Sequence, residues 1–240
     1  MENTIYIGLS KQLSLQRHME LLANNIANID TPGYRAQNMV FAEFVADPRG
    51  IDDPISQLLD FGQYQDTRPG SLTQTGNRLD VAIEGQGYFG VQTAEGLAYT
   101  RNGRLSLNVN GELITASGLP ITDDGGNAIQ IPRESREVII AEDGTVSTEN
   151  GEIARLKLVT FENQQELESI GDNLFRTDAA EIIDTDSRVV QGAYENSNVQ
   201  GVLEMTRMIE TSRDFASIAN MMQNEHERQS NMIRTLSRTS

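Results

Sequence analysis

Leu79-Asp80-Val81-Ala82-Ile83-Glu84-Gly85-Gln86-Gly87-Tyr88-Phe89-Gly90 is the stretch on which the fold class turns. Leu79, Val81 and Ile83 alternate with Asp80, Ala82 and Glu84, the period of a half-buried strand. The glycines that follow match the G-x-G-x-x-G string of dinucleotide sites, but such a site needs a helix next, whose N-terminus holds the pyrophosphate. Tyr88, Phe89, Val91 and Gln92 instead continue as strand toward the turn residues Glu95-Gly96. The glycines therefore read as kinks in a hairpin, and nucleotide binding is set aside.

The same period spreads downstream. Leu105, Leu107 and Val109 alternate with Ser106 and Asn108, and Ile129 with Ile131 around Gln130. Asn102-Gly103, Asn110-Gly111, Asp124-Gly125-Gly126, Asp143-Gly144 and Asn150-Gly151 punctuate these runs, so 76–190 is expected to be an antiparallel sandwich or barrel-like domain with a self-contained aliphatic core. Upstream, 39–75 carries Pro48, Pro54 and Pro69 with poor periodicity. It reads as an extended linker with a short helix near Ile55–Leu59.

Both ends switch to helical spacing. Leu15, Met19, Leu22, Ile26 and Ile29 form one stripe, with Ile5 and Leu9 upstream of it. Gly8 weakens that helix, and Asp30-Thr31-Pro32-Gly33 ends it. Beyond Gly201 neither Gly nor Pro occurs, and Met205, Met208, Ser212, Phe215, Ala219, Met222, His226, Gln229, Ile233 and Leu236 keep a 3-4 alternation. Ser197 with Gln200 reads as a capping box at its start. A helix of about 40 residues is a rod of ~60 Å, too long for a thin β domain to cover. A coiled-coil-like stalk, between the two ends or between copies, is the expected use. Its polar positions Ser212, His226 and Gln229 make the seam weak until assembly. The fold class is thus mainly β with helical termini, divided as 1–38, 39–75, 76–190 and 191–240.

Charge supports that division. The 240 residues carry 19 Lys+Arg against 35 Asp+Glu, a net charge of -16. Residues 1–38 and 201–240 each sum to zero, so the whole excess lies in 39–200. This balance argues against nucleic acid and anionic membranes, and leaves the neutral ends best able to pack on one another. No apolar run reaches the ~18 residues of a membrane span, and no charge–apolar–small cleavage pattern opens the chain, which argues against a cleaved signal. With no cysteine there is no disulfide or thiolate chemistry.

Candidate chemistry is sparse. Asp123-Asp124 and Glu142-Asp143 do not fit a calcium loop and read as turn residues. His18 and His226 sit on the helical ends without a second ligand at suitable spacing. No Ser-His-Asp elbow, H-E-x-x-H or P-loop occurs, so no catalytic, metal or cofactor residue is assigned.

Asn24-Asn25-Ile26-Ala27-Asn28-Ile29-Asp30-Thr31-Pro32-Gly33-Tyr34-Arg35 resembles the N-terminal signature of bacterial flagellar rod and hook proteins. Leu79 to Phe89, with Gly85, Gly87 and Phe89, is similar to that family's first β signature. Tyr99-Thr100-Arg101-Asn102-Gly103 and Gly171-Asp172-Asn173-Leu174-Phe175 extend the likeness. Glu195-Asn196-Ser197-Asn198-Val199 and Met205-Thr206-Arg207-Met208-Ile209, with Arg213 and Phe215, resemble its C-terminal helix. Length, the start Met1-Glu2-Asn3-Thr4-Ile5-Tyr6, and Arg213-Asp214-Phe215 look more like the proximal-rod branch than the distal one.

The resemblance implies a mechanical role: a subunit of the basal-body drive shaft carrying torque from motor to hook and filament. It would cross the periplasm, with terminal helices as inner tube and the acidic β domain outward. Implied partners are other copies, neighbouring rod proteins and, in transit, the flagellar type III export apparatus. Nucleic acid and membrane insertion are not implied. Leu15, Met19, Leu22, Ile26, Met205, Met208, Phe215, Met222, Ile233 and Leu236 become the expected assembly interface. Phe41-Ala42-Glu43-Phe44-Val45 resembles the element by which such subunits engage the export gate, with ordinary packing as the other reading. From other classes, a carbohydrate- or surface-binding β module on a coiled-coil stalk shares the composition, though it predicts one contiguous stalk. An acidic enzyme with an unrecognised carboxylate pair is the third reading.

Overall fold

A computed structural model describes residues 2–46, 55–135 and 137–238. The chain is mainly antiparallel β with one long helix in each flank, as the patterning predicts. It forms two compact units. A helical one takes Met1–Ala27, Gln37–Tyr64 and Gln200–Ser240, and a β one takes Asn28–Ala36 and Gln65–Val199.

In the helical unit, α1 (Glu2–Ala27) packs on α2 (Gly201–Arg238). Gly8 faces Met222 and Asn25 faces Glu204, so the two helices run antiparallel. Gly8 has a use that its helix propensity hides: a Cβ there would stand 3.1 Å from Cγ and Sδ of Met222. Leu21 and Leu22 are buried on α1. On α2 the inward positions are Glu204, Met208, Thr211, Phe215, Ile218 and Met222, spaced 4-3-4-3-4. Half of the expected stripe is therefore displaced by one residue. Met208, Phe215 and Met222 stay half-buried on it, while Met205 and Ser212 are exposed. A count of hydrophobicity cannot see that a glutamate with partners can lie inside and a methionine outside.

Strands Gln37–Ala46 and Ile55–Gln65 pair as a two-stranded sheet, so Ile55–Leu59 is strand and not the expected short helix. Five apolar residues are too few to nucleate a helix, whereas pairing satisfies their backbone groups. The side chains of Phe41 and Phe44, and those of Ile233 and Leu236, lie outside the described residues.

The β unit is built on a six-stranded antiparallel sheet. Its order is Glu168–Gly171, Leu174–Arg176, Gly96–Thr100, Tyr88–Thr93, Leu158–Thr160, Ile182–Ile183. A three-stranded sheet of Gly151–Arg155, Thr145–Thr148 and Val138–Ile140 joins it. Val81, Phe89, Val91, Leu113, Ile121 and Leu156 anchor the main core, and Tyr88, Tyr99, Phe161 and Phe175 gather in a smaller aromatic one. Asp123 Oδ1 accepts from Asn127 N–H at 2.7 Å and Asp143 Oδ1 from Thr145 N–H at 3.1 Å, the turn roles expected of them.

Three local expectations are corrected. Val81–Glu84 pairs with Arg188–Gln191, and Tyr88–Thr93 pairs with Gly96–Thr100 and Leu158–Thr160, so Gly85–Gly87 is a crossing between sheets and not a hairpin. Ser197 Oγ accepts from Val199 N–H at 3.2 Å in place of a capping box, because the helix starts only at Gly201. α1 stops at Ala27, and Ile29 packs instead on a small cluster of Tyr34, Ala36 and Val199.

Candidate assembly surfaces and the buried arginine hub

Within the β unit, the turn after α1 is pinned from several sides. Tyr34 N–H donates to Thr31 O at 3.2 Å, and Gly33 N–H reaches Glu195 O at 2.7 Å. Asn173 Nδ2 donates to Pro32 O at 2.8 Å. Gly33 has φ 68, and a Cβ there would meet the Arg101 backbone at 2.5 Å, so the T-P-G sequence is required by close approach as well as by conformation.

The turn delivers Arg35 into a buried charge hub. Arg35 Nη2 lies 3.2 Å from Glu195 Oε1, and Arg101 Nε donates to Glu195 Oε2 at 2.7 Å. All three side chains are at most 2% exposed. Gly70 N–H donates to the same carboxylate at 2.8 Å, and Thr67 O accepts from Arg35. Burial and then the Arg101 charge hold the Arg35 guanidinium below its ordinary value, with Glu195 opposing them. It remains a cation, as arginine does in proteins.

The glycine string gains a physical reason here. Carbonyls of Ile83, Gly85 and Gly87 accept from Arg101, at 3.2 and 3.0 Å for the first two, and the guanidinium lies 5.6 Å from the Tyr88 ring centre. A Cβ at Gly85 would stand 2.0 Å from Ser187 Oγ, and one at Gly87 2.4 Å from Asp184 Oδ2. The loop is a receptor for an internal cation, and its carbonyls would repel a phosphate. Nothing in the hydrophobic pattern singled out Arg101 or Glu195. The available signal was a charged residue at each site where a strand pattern calls for a buried one.

The helical unit has its own polar lock. Asn25 is fully buried; its Nδ2 donates to Glu204 Oε2 at 3.1 Å and to Gln37 O at 2.8 Å, while its Oδ1 accepts from Gln37 N–H at 3.0 Å. Glu204 Oε1 takes Arg207 Nη1 at 2.9 Å. A buried Asn–Glu pair on facing helices specifies register, since a slip would strand both groups.

His18 stands beside this lock, and burial, then Arg207, depress its pKa, with Glu204 pulling the other way. The unfolded imidazole protonates near pH 6.5 while the folded one resists, so acid favours unfolding. Stability of the helical unit should fall as pH drops from about 7.5 through about 6.5, above the range where carboxylates titrate. Helix melting followed by circular dichroism checks this: His18→Gln should flatten the slope.

Of the signature residues, Asn25, Pro32, Gly33, Tyr34, Gly87 and Phe89 are buried, Asn28 and Thr31 half-buried, and Asn24 and Gly85 exposed. The signature is thus divided between the lock in one unit and the turn in the other. Of the expected interface residues, Leu22 is buried within its own chain, Leu15, Met19, Ile26, Met208, Phe215 and Met222 are half-buried, and Met205 is exposed.

Comparison with known proteins follows this division. Residues 5–35 match the family described as flagella basal body rod protein, 82–148 the flagellar hook protein FlgE/F/G D1 domain, and 190–235 the flagellar basal body rod FlgEFG protein C-terminal region. A flagellar basal-body rod protein FlgF of Caulobacter vibrioides is 38% identical over 95% of both chains. The chain belongs to the flagellar basal-body rod protein family. Another FlgF, from Salmonella typhimurium, is 35% identical over 90% of both chains, and the rod protein FlgG of Bacillus subtilis is 32% identical over 90% of this chain and 92% of its own. The rod-family matches take in both the Asn25 lock and the 28–36 turn, while Arg101 falls in the D1 match and Glu195 in the C-terminal one.

Proposed function

We propose that this rod protein is a structural subunit of the flagellar basal body that transmits torque toward hook and filament, and not an enzyme. The observation that carries the reading is identity to a rod protein over 95% of both chains. Assembly with other rod and basal-body proteins follows from the family. The proximal segment of the rod is the proposed position, supported by the FlgF relatives. The FlgG relatives favour the distal rod as the second reading. Labelling the subunit and locating it along purified basal bodies separates the two.

The finer parts of the reading are proposals as well. The helical ends, 1–38 and 191–240, would form a coiled-coil-like axial core around the acidic middle's attachment points, crossing the periplasm after export without a cleaved signal. Phe41 and Phe44 would engage the type III export gate in transit. A deletion strain should lose motility, with assembly halted after the early rod. Normal filaments on that strain would sink the proposal.

A further inference from the structure

The pairing of α1 with α2 consumes much of the apolar face expected to bind neighbours, since Leu22 is buried and Met208, Phe215 and Met222 are half-buried inside the chain. A second apolar face remains. Val202, Met205 and Ile209, at i, i+3 and i+7 on α2, are 83%, 52% and 54% exposed. Leu9 and Leu13, at i and i+4 on α1, are 45% and 53% exposed. Scattered exposed hydrophobics are ordinary; two runs at helical spacing on paired helices form an unpartnered surface.

Charge selects the occupant. All of the -16 lies in 39–200, while 1–38 and 201–240 are each neutral. Copies repel through their acidic middles and can approach closely through these helices.

Geometry then selects the mode. With Gly8 opposite Met222 and Asn25 opposite Glu204, Leu9 and Leu13 lie level with the turn of α2 around Ile218 to Met222. That is about 14 residues, or about 20 Å, from Met205 along the axis. The two runs cannot meet within one chain. If the α1 run of one copy meets the α2 run of the next, the contact is head-to-tail and offset, the kind that propagates instead of closing as a dimer.

Resting on the rod-subunit reading, we propose that Leu9 and Leu13 of one copy dock on Val202, Met205 and Ile209 of the next, displaced by about 20 Å along the helix axis. The seam of Met208, Phe215 and Met222 holds the chain's own helix pair.

The chain has no cysteine, which makes cross-linking clean. Leu13→Cys with Met205→Cys, and Leu9→Cys with Ile209→Cys, are oxidised mildly in isolated basal bodies. A disulfide needs Cα atoms within ~7 Å, so no intrachain bond can form across the offset. A ladder of covalent multimers, absent from the single-cysteine variants, is the expected result. No ladder in assembled rods, or a dimer from Met205→Cys alone, overturns the proposal. Independently, Ile209→Asp should leave the helix melting of the monomer unchanged but cut rod incorporation at least tenfold, while Ile209→Val incorporates normally. Normal incorporation of Ile209→Asp overturns the docking face yet leaves the rod reading intact. That reading fails only if the deletion strain builds normal filaments.

Discussion

Glu195→Gln is expected to destabilise the β unit by about 3–5 kcal/mol, the cost of removing one partner from a buried ion pair. The amide keeps the shape and can still accept hydrogen bonds, but Arg35 and Arg101 lose the carboxylate they share, and both guanidiniums remain buried. Against a typical domain stability of about 5–15 kcal/mol, that is a large fraction. Denaturant unfolding of the purified protein reads it as a lower midpoint at unchanged slope. Glu142→Gln is the internal control. Its pair with Arg188 is 3.9 Å long and mostly exposed, so its loss should cost under ~1 kcal/mol. Equal effects of the two substitutions would mean that the hub contributes no more than a surface pair.

A fragment of residues 76–190 should show no cooperative unfolding, whereas 28–199 should. The first retains the sheets and the Arg101 site but lacks Arg35, Glu195, and the pairing of Ala193–Glu195 with Leu72–Gln74. Arg101 would then sit among the carbonyls of Ile83, Gly85 and Gly87 without a carboxylate. Such an uncompensated buried charge costs several kcal/mol, more than a small aliphatic core can readily spare. Alternating strands suggest a self-contained domain because periodicity records which side chains face inward. It does not record which charges must be brought from elsewhere to neutralise one another. If 76–190 melts cooperatively, the hub is dispensable to the fold.

Local pattern alone determined the elements that rest on spacing and composition. The period-two runs around Val81, Tyr88 and Ile129 are strands or bridges, the flanks are helices, and Asp123 and Asp143 hold turns. These follow from neighbours within a few residues, where backbone hydrogen bonding and side-chain period are set. The neutral ends and acidic middle were likewise legible as arithmetic. Only the tertiary structure decided which face of α2 turns inward, because Asn25, 179 positions away, and Arg207 make Glu204 tolerable inside while Met205 is left out. It also decided the meaning of Gly85 and Gly87, whose carbonyls face an arginine 14 to 16 residues on, itself paired with a glutamate 94 residues further. Long-range polar partners cancel desolvation costs that no local window can register, so the buried charges of this protein are visible only once the chain has closed on itself.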